Sequence, residues 1–272
     1  MPRIQVGELS FQVRDDGKGF PVVLLHGFPD TSSLWRHQIA ALNAAGYRTV
    51  APDMRGRGAS DKPHDVAEYA LQKIVGDVTA IMDALGIARA HVVGHDWGAA
   101  VAWLVAILAP ERVDHLAVIS VGFPGAAGKP TLAALQKAWY RILVQFEGVA
   151  ERLFQQDDWY LFRELIDGGG DPVEEHIARL SDPGALVAGL NWYRANLPVE
   201  RLLDAPQLPP VTVPTMGVFG TEDKYLTEQA MVASASRVKG PWRYERLEGV
   251  GHWIPLEAAG RLNDLLIDFF AR

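Results

Sequence analysis

The 272-residue sequence contains no cysteine, and this absence excludes disulfides, thiolate nucleophiles and cysteine-ligated metal sites. It also lacks a long apolar run: the longest, residues 99–109, is well short of the roughly 20 residues that a transmembrane helix needs. The N-terminus alternates polar and apolar residues and has no apolar block of the kind that marks a signal peptide. We therefore expect a cytoplasmic protein with no membrane partner.

Clusters of Lys and Arg and the G-x-S-x-G motif of serine hydrolases are absent too. Because the formal net charge is −7, nucleic acid and anionic membranes would repel the chain, and neither is an expected partner. A serine esterase is disfavoured because its nucleophile motif is missing. The residues that are present, 49% hydrophobic and 22% charged, are typical of a globular protein with a substantial core. The composition leaves the oligomeric state open.

Short strand-like runs alternate with segments of helical periodicity along most of the chain. Residues 4–6 and 9–13 are expected to be paired edge strands, followed by a turn at 15–19. Further strand-like runs are 22–26, 47–51, 91–94, 116–120 and 215–220, and helical spacing occurs at 34–45, 68–85, 97–109 and 256–271. The alternation predicts an α/β fold with a mostly parallel sheet flanked by helices. A ligand site is then expected beyond the carboxyl ends of the strands.

The alternation stops in the segment 125–210, which is rich in aromatic residues and predicted to be helical, with breakers at GGGDP (168–172) and SDPG (181–184). We interpret this segment as a helical cap inserted into a core formed by residues 1–124 and 211–272. Most of its aromatic side chains are expected to form the core of the cap itself. The aromatic residues that make this segment distinctive are Trp139, Tyr140, Phe146, Phe154, Trp159, Tyr160, Phe162, Trp192 and Tyr193.

The pentapeptide GHDWG, residues 94–98, follows a strand-like run and leads into an apolar, alanine-rich helix. Glycines two places on either side of a central residue are typical of the turn by which hydrolases expose a nucleophile, and the central residue here is Asp96. An aspartate, with an unperturbed pKa of about 3.9, is ionised at neutral pH and needs no base before it attacks. The motif favours displacement at an sp³ carbon, which forms an alkyl ester. By itself, the pentapeptide also fits an aspartate that only caps the following helix.

Hydrolysis of an alkyl ester needs an activated water and hydrogen-bond donors for the oxyanion. His252, in the glycine-flanked VGHWIP loop before the last helix, is the strongest candidate for the base. Asp223 directly follows a strand-like run, and we prefer it as the acid that orients the histidine. Asp53 also follows a strand-like run, but its Gly- and Arg-rich loop is typical of a structural turn. The backbone N–H groups of Phe28 and Trp97 are the candidates for an oxyanion hole.

The sequence contains 8 histidines, and those other than His252 are weaker candidates for catalysis. His26 and His95 adjoin the expected oxyanion loop and nucleophile, and we expect them to shape these turns. His91 and His95 have the spacing of a helical metal site, but on a strand such a pair is too far apart to chelate an ion. No metal site is therefore expected. The remaining histidines, expected to be surface or packing residues, are His37, His64, His115 and His176.

Over essentially its whole length, the chain resembles α/β hydrolases of the epoxide hydrolase family. The matching segments are HGFP at 26–29, DMRGRGASDKP at 53–63, GHDWGAAVAW at 94–103, PERV at 110–113, GTED at 220–223 and GHW at 251–253. The resemblance implies a small-molecule epoxide and water as substrates, no cofactor, and two cap tyrosines that activate the epoxide oxygen. GLNWYR at 189–194 matches the second tyrosine motif and implies Tyr193. AWYRILVQFEGVAE matches the first motif and implies Tyr140, with Tyr160 as a possible substitute.

Three other functions stay open at this point. A haloalkane dehalogenase is also resembled by HDWG, and Trp97 would then hold the halide. Its usual second donor, an Asn after HG, is here Phe28. The cap tryptophans that would have to replace this donor are Trp139, Trp159 and Trp192. A fluoroacetate dehalogenase is less favoured because its substrate-binding arginines are here Trp97 and Ala100. A non-catalytic receptor of the same fold is disfavoured because nucleophile, acid and histidine are all present.

Overall fold

An eight-stranded sheet forms the centre of the protein. The structure, a computed structural model, describes residues 3–166, 171–202 and 207–272. The strands are β1 (Arg3–Val6), β2 (Leu9–Gly17), β3 (Pro21–Leu25), β4 (Arg48–Pro52), β5 (Ala90–His95), β6 (Val113–Ile119), β7 (Thr215–Gly220) and β8 (Trp242–Leu247). Their order across the sheet is β1-β2-β4-β3-β5-β6-β7-β8. The pairs β1/β2 and β2/β4 are antiparallel, and the other neighbours are parallel, so the predicted mostly parallel sheet is confirmed.

Helices connect and flank the strands. They are α1 (Arg36–Ala44), α2 (Leu71–Ala84), α3 (Trp97–Leu108), α4 (Leu132–Lys137), α5 (Tyr140–Leu143), α6 (Val149–Leu165), α7 (Val173–Leu180), α8 (Ala185–Asn196), α9 (Glu228–Ala233), α10 (Ile254–Glu257) and α11 (Ala259–Phe270). Within the described chain, none of them combines the length and apolarity that crossing a bilayer requires.

Strand β5 and helix α3 are largely buried, and the turn between them contains Asp96. All six residues of β5 are buried, and α3 packs against β3, β5 and β6. Such a strand is buried throughout because helices cover both faces of a parallel sheet. The turn between β5 and α3 consequently emerges at the carboxyl end of the sheet from a rigid base.

Two strands differ from the sequence prediction. Strand β2 continues to Gly17, so the turn predicted at residues 15–19 begins later. Arg48 on β4 donates to both carboxylate oxygens of Asp15, at 2.8 and 2.7 Å, and this pair keeps the polar end of β2 in the sheet. Strand β8 was not predicted because its sequence, WRYERL, contains no apolar run. It is a partly exposed edge strand, where charged side chains are tolerated.

Five helices, α4 to α8, lie between β6 and β7 in the chain, as the cap prediction requires. Helix α6 is interrupted where Gln156 to Trp159 leave the helical conformation. Helix α8 attaches this region to the core, because Leu71 N–H donates to the side chain of Asn196 at 2.9 Å and Trp192 Nε1 donates to the Arg55 carbonyl at 3.0 Å. The bounds 125–210 stay a prediction. Part of the predicted GGGDP breaker, residues 168–170, lies outside the described residues.

Candidate active site

Asp96 occupies the tip of the turn between β5 and α3, in a backbone conformation that a non-glycine residue rarely adopts. Its φ and ψ are 52° and −122°. Such strain persists only where the surrounding structure enforces it, and it is concentrated at functional sites. Asp96 stands at the N-cap position of α3, but its side chain makes no capping hydrogen bond to the start of the helix. The structure therefore rejects the helix-cap interpretation and leaves the carboxylate directed elsewhere.

The glycines around Asp96 are required by close backbone contacts. A Cβ atom on Gly94 would lie 2.2 Å from the Gly98 carbonyl oxygen, and one on Gly98 would lie 1.9 Å from the Leu25 carbonyl oxygen. On the opposite side, a Cβ atom on Gly27 would lie 2.3 Å from Oδ1 of Asp96. These contacts exclude side chains at all three positions and bring the loop after β3 against the carboxylate.

The Phe28 backbone N–H donates to Asp96 Oδ1 at 2.9 Å, in the place predicted for an oxyanion-hole donor. The second predicted donor, the Trp97 N–H, stands at the first position of α3 but makes no hydrogen bond to this carboxylate in the described structure. A donor on one carboxylate oxygen is positioned to stabilise negative charge there if the carboxyl carbon is attacked.

His252 lies between two carboxylates. Its Nδ1 is 2.7 Å from Asp223 Oδ2, and its Nε2 is 3.7 Å from Asp96 Oδ2. Burial alone would lower the pKa of His252, but Asp223, Asp96 and Asp30 outweigh that effect and raise this pKa to about 9. The free protein at neutral pH therefore holds an imidazolium here, paired with Asp223 and facing Asp96.

Asp223 is held by backbone donors as well as by the histidine. Its Oδ1 accepts hydrogen bonds from the N–H groups of Tyr225 and Leu226, each at 2.8 Å. Burial would raise the pKa of Asp223, but His252 and these two donors together keep it below its ordinary value. The acid is thus ionised and fixed in orientation, which fixes the histidine ring in turn.

The other acid considered from the sequence, Asp53, has a structural role. Its Oδ1 accepts from the Ser32 N–H at 2.9 Å and its Oδ2 from the Ala59 N–H at 3.2 Å, so both oxygens bind the loops that contain those residues. His26 and His95 also hold loops, as predicted: His26 Nε2 accepts from the Met54 N–H at 3.0 Å, and His95 Nε2 lies 2.9 Å from the His252 carbonyl oxygen.

Tyr140 and Tyr193 are buried, and their rings meet edge to face with centroids 5.8 Å apart. Tyr160 is 61% exposed, so it does not substitute for Tyr140. A single cavity joins both tyrosines to Asp96 and His252. It is lined by Phe28, Asp96, Tyr140, Val144, Phe154, Leu165, Ile166, Leu190, Tyr193, Tyr225, His252 and Trp253. The structure thus brings together the predicted carboxylate, histidine and cap tyrosines around one largely aromatic space.

The cap tryptophans are poorly placed to bind a halide. Trp192 Nε1 already donates to the Arg55 carbonyl, Trp139 is 43% exposed, and Trp159 packs on Phe162 without lining the cavity. Phe28 stands in place of a side-chain amide, and none of these three cap tryptophans lines the cavity. This weakens the dehalogenase alternative.

Two further charged residues lie close to the site and were not singled out from the sequence. The guanidinium carbon of Arg141 is 5.9 Å from the ring centroid of Tyr140, and its Nε is buried with no hydrogen-bond partner among the described residues. Burial raises the pKa of Tyr140, and this cation lowers it in part. Asp30 is buried, accepts from Trp253 Nε1 at 3.1 Å, and has its pKa raised to about 7, chiefly by burial. In the sequence, Arg141 directly follows Tyr140 in WYR (139–141), and Asp30 ends the HGFPD segment (26–30) that contains Phe28. Their position next to predicted site residues was the available signal.

Comparisons with known proteins identify the fold and the family of this chain. The sequence model for the α/β hydrolase fold matches residues 21–167. Epoxide hydrolase A of Mycobacterium tuberculosis is 32% identical over an alignment 292 residues long, which covers 92% of this chain and 90% of that protein. Epoxide hydrolase 4 of Mus musculus is 31% identical and covers 98% of this chain and 78% of its own length. The crystal structure of epoxide hydrolase A from Mycobacterium thermoresistibile is 29% identical and superposes with a TM-score of 0.80, with 98% of this chain and 97% of that chain covered.

Proposed function

The chain belongs to the epoxide hydrolases of the α/β hydrolase family, and from this premise we propose that it opens an organic epoxide to a vicinal diol with water. One observation carries the proposal: the strained carboxylate of Asp96 shares a cavity with His252 and two buried tyrosines. The nucleophile, the base and the proton donors of a two-step hydrolysis are then within one space.

The first step is alkylation of Asp96. A carboxylate oxygen attacks an epoxide carbon, the ring C–O bond breaks, and the ring oxygen takes the phenolic proton of Tyr140 or Tyr193. A proton donor is required because the alkoxide is too basic to depart unassisted. The products are an alkyl ester on Asp96 and a tyrosinate. The nearby Arg141 stabilises that negative charge, since its cation lowers the pKa of Tyr140.

Formation of the ester lowers the pKa of His252. Because Asp96 no longer carries a negative charge, one of the groups that raise the pKa of His252 to about 9 is lost. The imidazolium becomes more acidic and gives its proton to the tyrosinate, which restores the phenol. The neutral imidazole that results is the base needed for the second step.

In the second step, water attacks the carboxyl carbon of Asp96 while His252 takes one of its protons. The Phe28 N–H stabilises the oxyanion. The ester C–O bond then breaks, the departing alkoxide takes the proton from His252, and the regenerated carboxyl group returns a proton to the imidazole. This sequence restores the resting ion pair and consumes one water for each epoxide.

The cavity favours an apolar substrate because most of its lining is aromatic or aliphatic. We propose a small apolar epoxide, with water as the second reactant. A cytoplasmic location stays a prediction.

A small substrate panel tests the activity. The enzyme should convert styrene oxide or an aliphatic epoxide to its diol and should leave 1-bromobutane intact, with Asp96→Asn as the inactive control. In one turnover with excess enzyme in heavy-oxygen water, the first diol should be unlabelled and the label should appear in the peptide that contains Asp96. Bromide release without diol formation, or label in the first diol, would contradict the proposal.

A further inference from the structure

Three potential metal ligands meet at the end of the sheet opposite the catalytic cavity. His91 lies near the beginning of β5, and Asp114 and His115 lie near the beginning of β6. His115 Nδ1 is 2.7 Å and His91 Nδ1 is 3.3 Å from the same Asp114 oxygen, Oδ2. One ligand atom from each of the three residues lies within 4.8 Å of the other two. The sequence spacing concealed this group, because its members come from two strands.

The Nδ1 atom of His91 has no hydrogen-bond partner among the described residues, although the side chain is only 4% exposed. Phe270 fixes the orientation of the ring by stacking on it, with centroids 4.1 Å apart and planes inclined by 5°. The nitrogen is thus buried beside the carboxylate of Asp114, in a ring of fixed orientation.

Arg89 determines which carboxylate oxygen faces the histidines. Its Nη2 lies 3.0 Å from Asp114 Oδ1, so that oxygen is paired and Oδ2 remains for the two imidazoles. Outer partners of this kind orient the ligands of metal sites. The guanidinium also repels a cation, so the affinity should be lower than that of a site without it.

We propose that His91, Asp114 and His115 form a second, non-catalytic site that binds a transition-metal ion, with Zn²⁺ as the preferred ion. Imidazole nitrogen and carboxylate oxygen are ligands that Zn²⁺ takes in tetrahedral geometry at ~2.0–2.2 Å, which separates neighbouring ligand atoms by about 3.3–3.5 Å. The His91–Asp114 distance of 3.3 Å already fits this geometry. The 2.7 Å separation of His115 and Asp114 has to widen, and both of these side chains are partly exposed and have room to move.

Water is available as the fourth ligand, since Asp114 and His115 are 23% and 14% exposed. The bound ion would tie β5 to β6 beneath the ring of Phe270 on α11. His91 lies near the other end of β5 from Asp96, roughly 16 Å away at the rise of an extended strand. We therefore expect the ion to raise thermal stability and not to alter the chemical steps at Asp96.

Cobalt(II) provides the test, because tetrahedral Co²⁺ absorbs intensely in the visible range and octahedral Co²⁺ weakly. EDTA-treated protein without an affinity tag should bind one Co²⁺ per chain with a tetrahedral spectrum, and Zn²⁺ should displace it and raise the melting temperature. His115→Gln, a change at a partly exposed position, should abolish the spectrum. His91→Phe should do the same while retaining the aromatic contact with Phe270.

Two controls separate this site from other histidines. His64 is exposed and His252 lies in the cavity, so His64→Gln and His252→Gln should both bind Co²⁺ as the parent protein does. Circular dichroism verifies that each variant is folded. The proposal is overturned if the parent protein gives no tetrahedral spectrum, if folded His115→Gln retains that spectrum, or if only His252→Gln loses it.

Discussion

His252 Nε2 lies 3.7 Å from Oδ2 of Asp96, too far for a direct hydrogen bond and close enough for strong electrostatic coupling. The two groups therefore interact through charge while the carboxylate is free. Once Asp96 is esterified, the same nitrogen is near enough to activate a water against the carboxyl carbon. Capture of the substrate and release of the product consequently depend on different residues.

Replacing His252 with Gln should trap the enzyme as an ester. Alkylation requires only the Asp96 carboxylate and a proton donor, whereas hydrolysis requires the imidazole. Intact-protein mass spectrometry after incubation with a confirmed epoxide substrate should show an adduct of the substrate mass. Asp96→Asn should show no adduct, and an unmodified His252→Gln protein after long exposure would contradict the two-step scheme.

The tyrosine pair should govern alkylation. Replacing both Tyr140 and Tyr193 with Phe removes two hydroxyls while retaining the aromatic packing, and the alkylation rate should fall by on the order of 10²–10⁴. Either single change should cost less, because the other phenol still donates. Quenching of Trp fluorescence in single-turnover experiments measures this step separately from ester hydrolysis. A double variant that alkylates at the parent rate would refute the assignment.

Arg141 should act chiefly through Tyr140, whose ring its guanidinium faces. Because its cation partly offsets the rise that burial causes in the pKa of Tyr140, Arg141→Met should raise this pKa and slow alkylation. Arg141→Lys should restore part of the rate. In a protein that already carries Tyr140→Phe, the Arg141→Met change should have a smaller effect on alkylation, exerted through Tyr193. Full, additive losses in the two backgrounds would show that Arg141 acts by another route.

Three features were predictable because each depends on local chemistry: the turn at Asp96, the Asp223–His252 pair and the parallel strands. Glycines at a tight turn, and an acid or a histidine directly after a strand, are recognisable in a short segment. Arg141 was not predictable in this way, since its importance depends on burial beside Tyr140. Strand β8 was missed for a related reason: its polar residues are stabilised by the sheet edge and leave no apolar run.

Mild acid should destabilise the fold through its buried histidines. Burial lowers the pKa values of His26 and His176 to about 4 and that of His95 to about 3, whereas an unfolded histidine titrates near 6.5. The unfolded chain thus binds more protons between these values, so the stability that these groups contribute is complete above pH ~6.5 and is lost as the pH falls through 4. Urea denaturation at pH 7.5, 6 and 5 should give a falling free energy of unfolding.

Asp30 provides an internal check on this pH dependence. Its pKa is raised to about 7 in the folded protein, so its own contribution has the opposite sign and is lost as the pH rises through 7. Removing the titrating group with Asp30→Asn should make the acid loss of stability steeper. A free energy of unfolding that increases from pH 7.5 to pH 5 in both proteins would contradict the account.

Gly98 and Gly76 form a matched pair for testing whether the close approach of α3 to β3 holds the turn at Asp96 in place. Both lie in helices, but a Cβ atom on Gly98 would lie 1.9 Å from the Leu25 carbonyl oxygen, and one on Gly76 would meet nothing within 4 Å. Because the clash at Gly98 is with backbone, β3 and α3 have to separate, and Gly98→Ala should cost at least ~1–3 kcal/mol and displace Asp96.

Gly76→Ala should have the opposite effect and stabilise the protein by ~0.5–1 kcal/mol, because alanine is the better residue within an exposed helix. Thermal and urea unfolding of the two variants measures both changes, and the rate of Asp96 alkylation measures the displacement. If Gly98→Ala retained the parent stability and alkylation rate, the close approach of α3 to β3 would not be what holds the carboxylate in its strained conformation.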